Sequence, residues 1–527
     1  MTGITHENGH ARFVGARFHA TTVTRVVKAL SASTHSETRQ RWLQAVAARV
    51  VALRPDLAEP LLGVLQVNPA EVDLIRGMTI GEVGVCYEAL LAGLNKATRK
   101  ASGQFFTPDD AAEFMAEQAS TFPAGVWMDP CCGVGNLSWH LAAVQADPRA
   151  FVRDALILID RDPTALRSAV ALLAADYLEE GDVEGVAALW ERACVRDFLS
   201  REALPKHDYV ILNPPYARDR VRTGFSTSNA QELYAYFVER VARTSTGFVA
   251  VTPASYLAAP KFAALRDVLT YRMPGGDVLV FDNVPDTLFR GYKFGSSNTS
   301  KTNFVRAAIT VCSPQASDWN ITPILRWKSV SREAMFENCP ALLSPRVVGP
   351  FGEWVKLFPE HHAAWEYLGA LPDTVASLTV REETPYSLTV GLTPRYYISA
   401  AFRELERGSK ATLYFPSEAV RDRVAVALNS SIPYLWWRAL DGGVTLPRRV
   451  LNSVPVPPAT SNTARLAREL EAAEESNLTT KLNAGKQNEN VKHPRSLIAR
   501  MDAECFPGPA PKMDRLYSED MFAGTMR

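Results

Sequence analysis

The chain has 527 residues, with 57 basic and 57 acidic side chains and therefore a formal net charge of zero. Hydrophobic residues make up 47% and charged residues 22%, which excludes wholesale disorder, a collagen-like repeat and a coiled-coil rod. A neutral total also excludes a protein that coats nucleic acid through bulk charge, so any nucleic-acid binding would need a local basic surface.

The N-terminal segment MTGITHENGHARF lacks the apolar core of a signal peptide, and no stretch approaches the apolar length of a membrane helix. We therefore expect a soluble, cytoplasmic protein without a membrane partner. The seven cysteines form no CxxC pair and the nine histidines form no HExxH motif, so we expect neither a disulfide framework nor a metal site.

Apolar residues at intervals of three and four predict an N-terminal helical domain at 1–100. In 101–330, short apolar runs such as GVWMDP, DALILID and HDYVILNPP alternate with amphipathic stretches, which is typical of a doubly wound, mostly parallel α/β sheet. Residues 331–460 lose this rhythm and predict a separate α+β domain. A charged helix opens 461–527 and leads into NLTTKLNAGKQNENVKH, a polar segment that we expect to be mobile.

The sharpest local pattern is DPCCGVGN, in which Asp129 and Pro130 follow a predicted strand while Gly133 and Gly135 precede a predicted helix. Glycines at a strand-to-helix turn let a ligand approach the backbone, and the helix N-terminus supplies oriented N–H donors. The next predicted strand ends in Asp160, a position from which a carboxylate can bind a ribose diol.

The third predicted strand ends before Asp197 and Phe198, whose carboxylate and ring can hold an adenine by its amino group and its face. A glycine turn, an acid and an Asp-Phe pair at three successive strand ends together predict a pocket for a nucleoside cofactor.

Asn213, Pro214, Pro215 and Tyr216 come directly after the fourth predicted strand, at the edge where doubly wound sheets bind ligands. The exocyclic amine of adenine is a poor nucleophile because its lone pair is delocalised into the ring. An Asn oxygen and a proline-fixed carbonyl can each accept one amino hydrogen, which favours a more tetrahedral nitrogen as it attacks the methyl group of a sulfonium donor. Tyr216 can stack on the base, and no strong general base is required.

With these motifs in this order, the sequence resembles the S-adenosylmethionine-dependent N6-adenine DNA methyltransferases of the gamma arrangement, over roughly residues 80–460. The resemblance implies a Rossmann-like class I methyltransferase domain with an N-terminal helical unit and a C-terminal α+β target-recognition domain that binds DNA. It also implies that Phe106, Thr107 and Pro108 of GQFFTP form the first cofactor element. The implied cofactor is S-adenosylmethionine.

The family further implies base flipping, because an adenine stacked in a duplex cannot reach the methyl donor. The loop that should supply the outer stacking ring is longer here than in the family pattern, and we favour Phe289 first and Phe294 second. Double-stranded DNA is the implied substrate. The family often acts in restriction-modification or phage defence, where other subunits would be partners.

Two segments are locally basic, although the whole chain has a formal net charge of zero. Residues 287–330 contain six basic side chains and one acidic one, and residues 381–469 contain twelve basic and eight acidic ones. Phosphate binding needs a basic track on one face only, so both segments are candidates for DNA contact.

Two other interpretations stay open. The same acceptors suit any NH2 on an sp2 carbon, including an RNA base or a protein glutamine, although the long region after residue 330 disfavours a glutamine modifier. Alternatively, the chain is a partner-dependent DNA-binding subunit whose methyltransferase fold is structural.

Overall fold

The structure is a computed structural model, and the chain forms two compact units. Unit 1 comprises Met1–Asn320, Arg326–Pro340 and Phe522–Arg527, and unit 2 comprises Ile321–Leu325 and Ala341–Met521. The structure describes residues 20–94, 107–289, 293–294, 297–298, 305–394, 396–483, 486–508 and 510–524.

Unit 1 is built on a mainly parallel sheet. The first nine strands are β1 (Trp127–Asp129), β2 (Leu156–Asp160), β3 (Ala193–Val195), β4 (Tyr209–Leu212), β5 (Gly247–Pro253), β6 (Gly276–Phe281), β7 (Lys293–Phe294), β8 (Ser297–Asn298) and β9 (Ala307–Cys312). Strand β10 (Trp319–Leu325) begins in unit 1, and its residues 321–325 belong to unit 2. Seven of these described strands follow the order β6-β9-β5-β4-β1-β2-β3. Neighbours from β5 to β3 are parallel, whereas β9 runs antiparallel between β5 and β6. The predicted α/β class with a Rossmann-like sheet is confirmed.

The helices of unit 1 cover the sheet and continue into the N-terminal region. They are α1 (Ala20–Leu30), α2 (His35–Leu53), α3 (Ala58–Leu65), α4 (Ile80–Leu94), α5 (Asp109–Ala119), α6 (Asn136–Ala143), α7 (Pro148–Ala150), α8 (Pro163–Tyr177), α9 (Val183–Glu191), α10 (Leu233–Thr244), α11 (Ala263–Arg272) and α12 (Arg332–Asn338). Pro163 begins α8, and the side chain of Asp162 caps it by accepting the Thr164 N–H. The helix is buried on nearly every face, because α2 covers it and Trp42 Nε1 donates to Ser168 Oγ at 2.9 Å.

Unit 2 has a small antiparallel sheet packed with helices. Its elements are β11 (Ser344–Pro345), α13 (His362–Gly369), α14 (Val375–Leu378), β12 (Ser387–Gly391), β13 (Ala400–Ala401), β14 (Lys410–Tyr414), α15 (Glu418–Leu428), α16 (Ile432–Leu440), α17 (Arg448–Asn452), α18 (Thr463–Asn477), β15 (Leu478–Asn483), β16 (Lys486–Val491), α19 (Arg495–Cys505) and α20 (Asp514–Tyr517). Strand β12 lies between β13 and β14. Trp436 stacks on Trp365 with ring centroids 4.2 Å apart, and Trp436 and Trp437 are buried, as core residues would be.

The polar segment that we expected to be mobile instead forms an antiparallel hairpin of β15 and β16, paired from Leu478↔Val491 to Asn483↔Lys486. Two tertiary features account for the difference. Val491 is fully buried beside Leu405, and the backbone of Glu489 bonds to that of Glu406 at 3.0 Å. These partners are distant in sequence, so local composition could not indicate them.

Candidate active site

A cavity of about 330 Å3 opens at the carboxyl ends of β1, β2 and β4 in unit 1. Parallel strands bring their carboxyl ends to one edge, where the turns that follow them meet. The predicted site residues that line the cavity are Thr107, Asp129, Pro130, Gly133, Asp160, Asp197, Phe198, Asn213 and Pro215. Residues that lie more than 100 positions apart are therefore brought to one site.

The glycine turn requires left-handed backbone at two positions. Gly133 has φ of +54°, and a Cβ built there would have no atom within 4 Å, so the backbone at this point is uncovered. Gly135 has φ of +94°, and a Cβ there would lie 3.1 Å from the Cβ of Ala169 on α8. Gly133 thus leaves open space, and Gly135 allows close packing of helix against turn.

Asp160 is held by two backbone donors. The Gly133 N–H donates to Oδ2 at 2.9 Å and the Asp162 N–H donates to Oδ1 at 2.8 Å. Burial raises the pKa of Asp160 above its ordinary value, although these two bonds oppose the shift. The carboxylate at the end of β2 is therefore positioned before any ligand arrives.

Asp129, at the end of β1, is a second buried carboxyl. Its oxygens accept from Ser138 Oγ at 3.0 Å and from the Cys131 N–H at 3.3 Å. Burial raises the pKa of Asp129 to about 7, and the two hydrogen bonds only partly compensate.

Asn213 connects the end of β4 to the segment before α5. Its Nδ2 donates to Thr107 Oγ1 at 2.9 Å, and the Thr107 carbonyl accepts from Asn136 Nδ2 at 2.9 Å. The Cys131 Sγ–H donates to the Asn213 carbonyl at 3.3 Å. One hydrogen-bonded chain thus joins three predicted motifs: GQFFTP, DPCCGVGN and NPPY.

The residues that line the cavity do not include Pro214, Tyr216 or Phe289. The Tyr216 hydroxyl donates to the Val251 carbonyl at 3.0 Å, and its ring meets that of Phe289 edge to face, with centroids 5.8 Å apart. A base stacked between two faces needs roughly 7 Å, or two contact distances of about 3.5 Å. The structure brings the two predicted stacking residues together, but in a closed arrangement.

Near the third strand, the predicted pair has two different environments. Phe198 is buried, with its ring centroid 5.0 Å from that of Phe237 and 5.2 Å from the Arg240 guanidinium. The side chain of Asp197 is half-exposed, and it accepts the Leu199 N–H at 2.9 Å. Pro108 immediately precedes α5, while Phe106 and the side chain of Phe294 lie outside the described residues.

Helix α4 contributes a wall that sequence reasoning missed. Four of its residues line the cavity: Gly84, Tyr87, Glu88 and Leu91. The Tyr87 hydroxyl donates at 2.7 Å to Oδ2 of Asp162, whose backbone N–H in turn bonds Asp160. The available signal was the adjacent polar pair Tyr87-Glu88 in a mainly apolar helix, whose other charged residue is Glu82.

The basic segment at 287–330 is less basic at its surface than its sequence indicated. Arg306 and Arg326 both bond the buried Asp282, at 2.8 and 3.0 Å, and Asp282 lies just outside the segment. Lys328 is exposed. The side chains of the other three basic residues, Arg290, Lys293 and Lys301, lie outside the described residues.

Within the described part of the chain, no group of three or more His, Cys, Asp and Glu side chains could hold a metal ion. None of the described helices is long and apolar enough to cross a membrane.

Residues 79–246 match the model of the N-6 DNA methylase family. The matched segment includes the glycine turn, Asp160 and the NPPY motif, and it is an N-6 DNA methylase domain. The prediction of an adenine-specific DNA methyltransferase is thereby confirmed for this part of the chain.

Three solved structures are similar to this chain at low identity. A DrdV–DNA complex has 11% identity and a TM-score of 0.45, covering 88% of this chain and 70% of its own. A modification subunit of a putative type I restriction enzyme from Vibrio vulnificus YJ016 has 13% identity and a TM-score of 0.37, covering 58% and 72%. The type I restriction enzyme EcoKI M protein has 16% identity and a TM-score of 0.31, covering 68% and 71%. No curated protein matches the sequence significantly.

Proposed function

We propose that this protein uses S-adenosylmethionine to methylate N6 of an adenine that has been flipped out of a specific double-stranded DNA sequence. We further propose that it serves as the modification enzyme of a restriction-modification or phage-defence system, with or without other subunits. The observation that carries the proposal is the position of Asn213, on the wall of the cavity that Gly133 and Asp160 also line, with its amide bonded to Thr107.

The residues around the cavity fit S-adenosylmethionine. The cavity volume falls within the range of small-ligand sites, and the uncovered backbone at Gly133 allows close approach. Asp160 would bind the ribose, Asp197 and Phe198 the adenine, and Thr107 with the Asp129 turn the methionine part. When bound, this cofactor supplies an electrophilic methyl group on a sulfonium centre.

Asn213 and Pro214 would activate the substrate amine. The Thr107 bond engages the donor end of the Asn213 amide, so the amide is oriented with its oxygen as the acceptor for one amino hydrogen. The Pro214 carbonyl would accept the other, because proline restricts the backbone that carries it. Together these acceptors localise the lone pair on N6.

The transfer then needs only positioning. Transfer of the sulfonium methyl group to N6 would form the nitrogen–carbon bond as the carbon–sulfur bond breaks, and the additional proton on nitrogen would leave to water. Tyr216 and Phe289 would hold the two faces of the flipped base, after their present ring contact opens to admit it.

The proposal also assigns roles to the segments outside the methylase domain. Residues 331–460 would form the target-recognition domain, with 1–100 as the helical domain and 461–527 as the C-terminal tail. Arg381, Arg403 and Arg448 are exposed basic residues in this region and are candidates for phosphate contact.

The experiment supplies the purified protein with methyl-labelled S-adenosylmethionine and, separately, with duplex DNA, RNA and protein extract. Label recovered as N6-methyladenine in DNA supports the proposal, and the Asn213→Ala variant should give roughly 100-fold to 1000-fold less. Label in RNA or protein, but not in DNA, overturns it in favour of another planar nitrogen. Label in no substrate overturns autonomous activity and favours a partner-dependent subunit.

A further inference from the structure

We propose that Arg332 is a positioning residue that ties the segment carrying Phe289 to the helix that follows Thr107, and so holds the base-stacking ring opposite Tyr216. The inference rests on the proposed function and deepens it, because it assigns a role to a residue outside every motif recognised in the sequence. Arg332 lies at the start of α12, more than 110 residues after NPPY.

The guanidinium of Arg332 forms hydrogen bonds to three groups at once. Its Nε and Nη2 bond the two carboxylate oxygens of Asp110, the second at 2.9 Å. Its Nη1 donates to the Thr287 carbonyl and its Nη2 to the Leu288 carbonyl, each at 2.9 Å. A planar fork of N–H groups can satisfy this arrangement, whereas the single nitrogen of a lysine cannot reach all three groups.

The bonded groups lie next to the two halves of the proposed base site. Asp110 is in the first turn of α5, three residues after the Thr107 that bonds Asn213. Thr287 and Leu288 directly precede Phe289, and all three are buried. Arg332 therefore joins the segment that orients the amine acceptor to the segment that carries the outer ring.

Burial holds Arg332 and its hydrogen-bond partners in place. Arg332 is 3% exposed, and burial alone would lower its pKa. The carboxylates of Asp110 and Asp286 together outweigh burial, so the pKa of Arg332 is raised. The Arg332 guanidinium also lies 5.3 Å from the ring centroid of Phe336, which packs against Phe114 of α5. Losing one partner of a buried charge pair leaves the charge of the other uncompensated, so Arg332 and Asp110 are expected to stay paired.

Because Arg332 holds the carbonyls of Thr287 and Leu288, an opening of the aromatic pair would have to come from Phe289 itself. The ring can leave its edge-to-face contact with Tyr216 while its backbone anchor stays in place. We infer that Arg332 determines where the ring returns after a base enters, and thus how well the flipped adenine is retained.

The test begins with the wild-type protein, whose methylated site is located by sequencing N6-methyladenine in treated genomic DNA. Two duplexes of that site are then prepared, one with the target adenine opposite thymine and one with it opposite an abasic position. The abasic duplex lowers the cost of flipping, so it should rescue a defect in retaining the flipped base but not a general loss of folding.

For Arg332→Met we expect kcat/KM to fall about tenfold or more on the paired duplex, in line with stacking free energies of roughly 1–3 kcal/mol per base. On the abasic duplex it should stay within about threefold of wild type, as should the affinity for S-adenosylmethionine. Arg332→Lys, which keeps the charge and protects folding, should show the same pattern to a smaller degree. Phe289→Ala should reproduce the rescue.

Arg266→Met is the matched control, because Arg266 is also 3% exposed and donates to two backbone carbonyls, those of Tyr256 and Ala259. Its losses should be equal on both duplexes. Equal losses for the Arg332 variants on both duplexes, or no loss on either, would overturn the positioning role. A wild-type protein that methylates no DNA would instead overturn the proposed function.

Discussion

The proposed cofactor end and the proposed base end of the candidate site differ in how far they are preformed. At the cofactor end, the open backbone at Gly133 and the doubly bonded Asp160 surround a cavity that already exists. At the base end, Tyr216 and Phe289 are in contact, and the space for a base is closed.

The difference follows from the chemical groups that form each end. Backbone N–H groups and buried carboxylates are positioned by the strand-to-helix turns, so they cost little to reorganise when a ligand binds. Aromatic rings attract each other when nothing lies between them, and an entering base replaces that contact with two of its own. We therefore expect cofactor binding and base capture to be separable by mutation.

The largest expected effect is at Asn213. Asn213→Ala removes one acceptor for the substrate amine, so methyl transfer should fall by roughly 100-fold to 1000-fold, as for loss of a donor that stabilises a transition state. Cofactor affinity, measured by calorimetry, should remain within a few-fold of wild type. A comparable loss of cofactor affinity would contradict the assignment of Asn213 to the base end.

Asp160→Ala should have the opposite profile. Losing a hydrogen-bonded carboxylate at the ribose position should raise the Kd for S-adenosylmethionine roughly 10-fold to 100-fold, because bonds to charged groups contribute about 1.5–3 kcal/mol. Saturating cofactor should restore much of kcat. Asp208→Ala is the control, since that carboxylate accepts the Val126 N–H at 2.8 Å away from the cavity lining. An unchanged Kd in Asp160→Ala would show that the carboxylate does not contact the cofactor.

A smaller effect on the cofactor end is expected from Tyr87→Phe. The variant keeps the ring on the cavity wall but removes the hydroxyl that bonds Asp162, so the KM for cofactor should rise about fivefold while kcat stays constant, for a bond of about 1 kcal/mol. The control is Tyr256→Phe, which loses an equally buried hydroxyl bond to Thr310. If kcat falls with KM unchanged, Tyr87 belongs to the base end, and its assignment to the cofactor end is wrong.

The smallest expected effect concerns stability against pH. Asp129 has a folded pKa of about 7 against 3.8 for an exposed group, so between these values the unfolded chain releases a proton that the folded chain keeps. The carboxyl therefore makes the ligand-free protein less stable as pH rises from about 4 to about 7. The Asp129→Asn variant has no carboxyl at this position, so its stability lacks this dependence on pH.

Thermal unfolding at pH 5 and pH 8 measures the consequence. The stability of Asp129→Asn relative to wild type should improve by roughly 1–3 kcal/mol between the two pH values. A difference that is the same at both values would show that Asp129 titrates normally and that the cofactor end is less dehydrated than its burial indicates.

The sequence predicted the local geometry of the proposed cofactor end better than that of the proposed base end. DPCCGVGN and the end of β2 are local patterns, in which apolar runs and glycines specify strand, turn and helix within a few residues. The contact between Tyr216 and Phe289 spans more than 70 residues, and the neutralisation of Arg306 and Arg326 depends on Asp282 outside the basic segment. Neither could be seen from local composition.

By itself the sequence determined the α/β class, the order of the motifs and the match of residues 79–246 to the N-6 DNA methylase family, because hydrophobic periodicity and short motifs are local properties of the chain. Only the tertiary structure decided that α4 forms part of the cavity wall and that Thr107 orients the Asn213 amide. It likewise decided that Arg332 joins Asp110 to the segment before Phe289. The physical reason is that hydrogen bonds between distant residues depend on which surfaces pack together, and packing is settled by the whole chain rather than by any one segment.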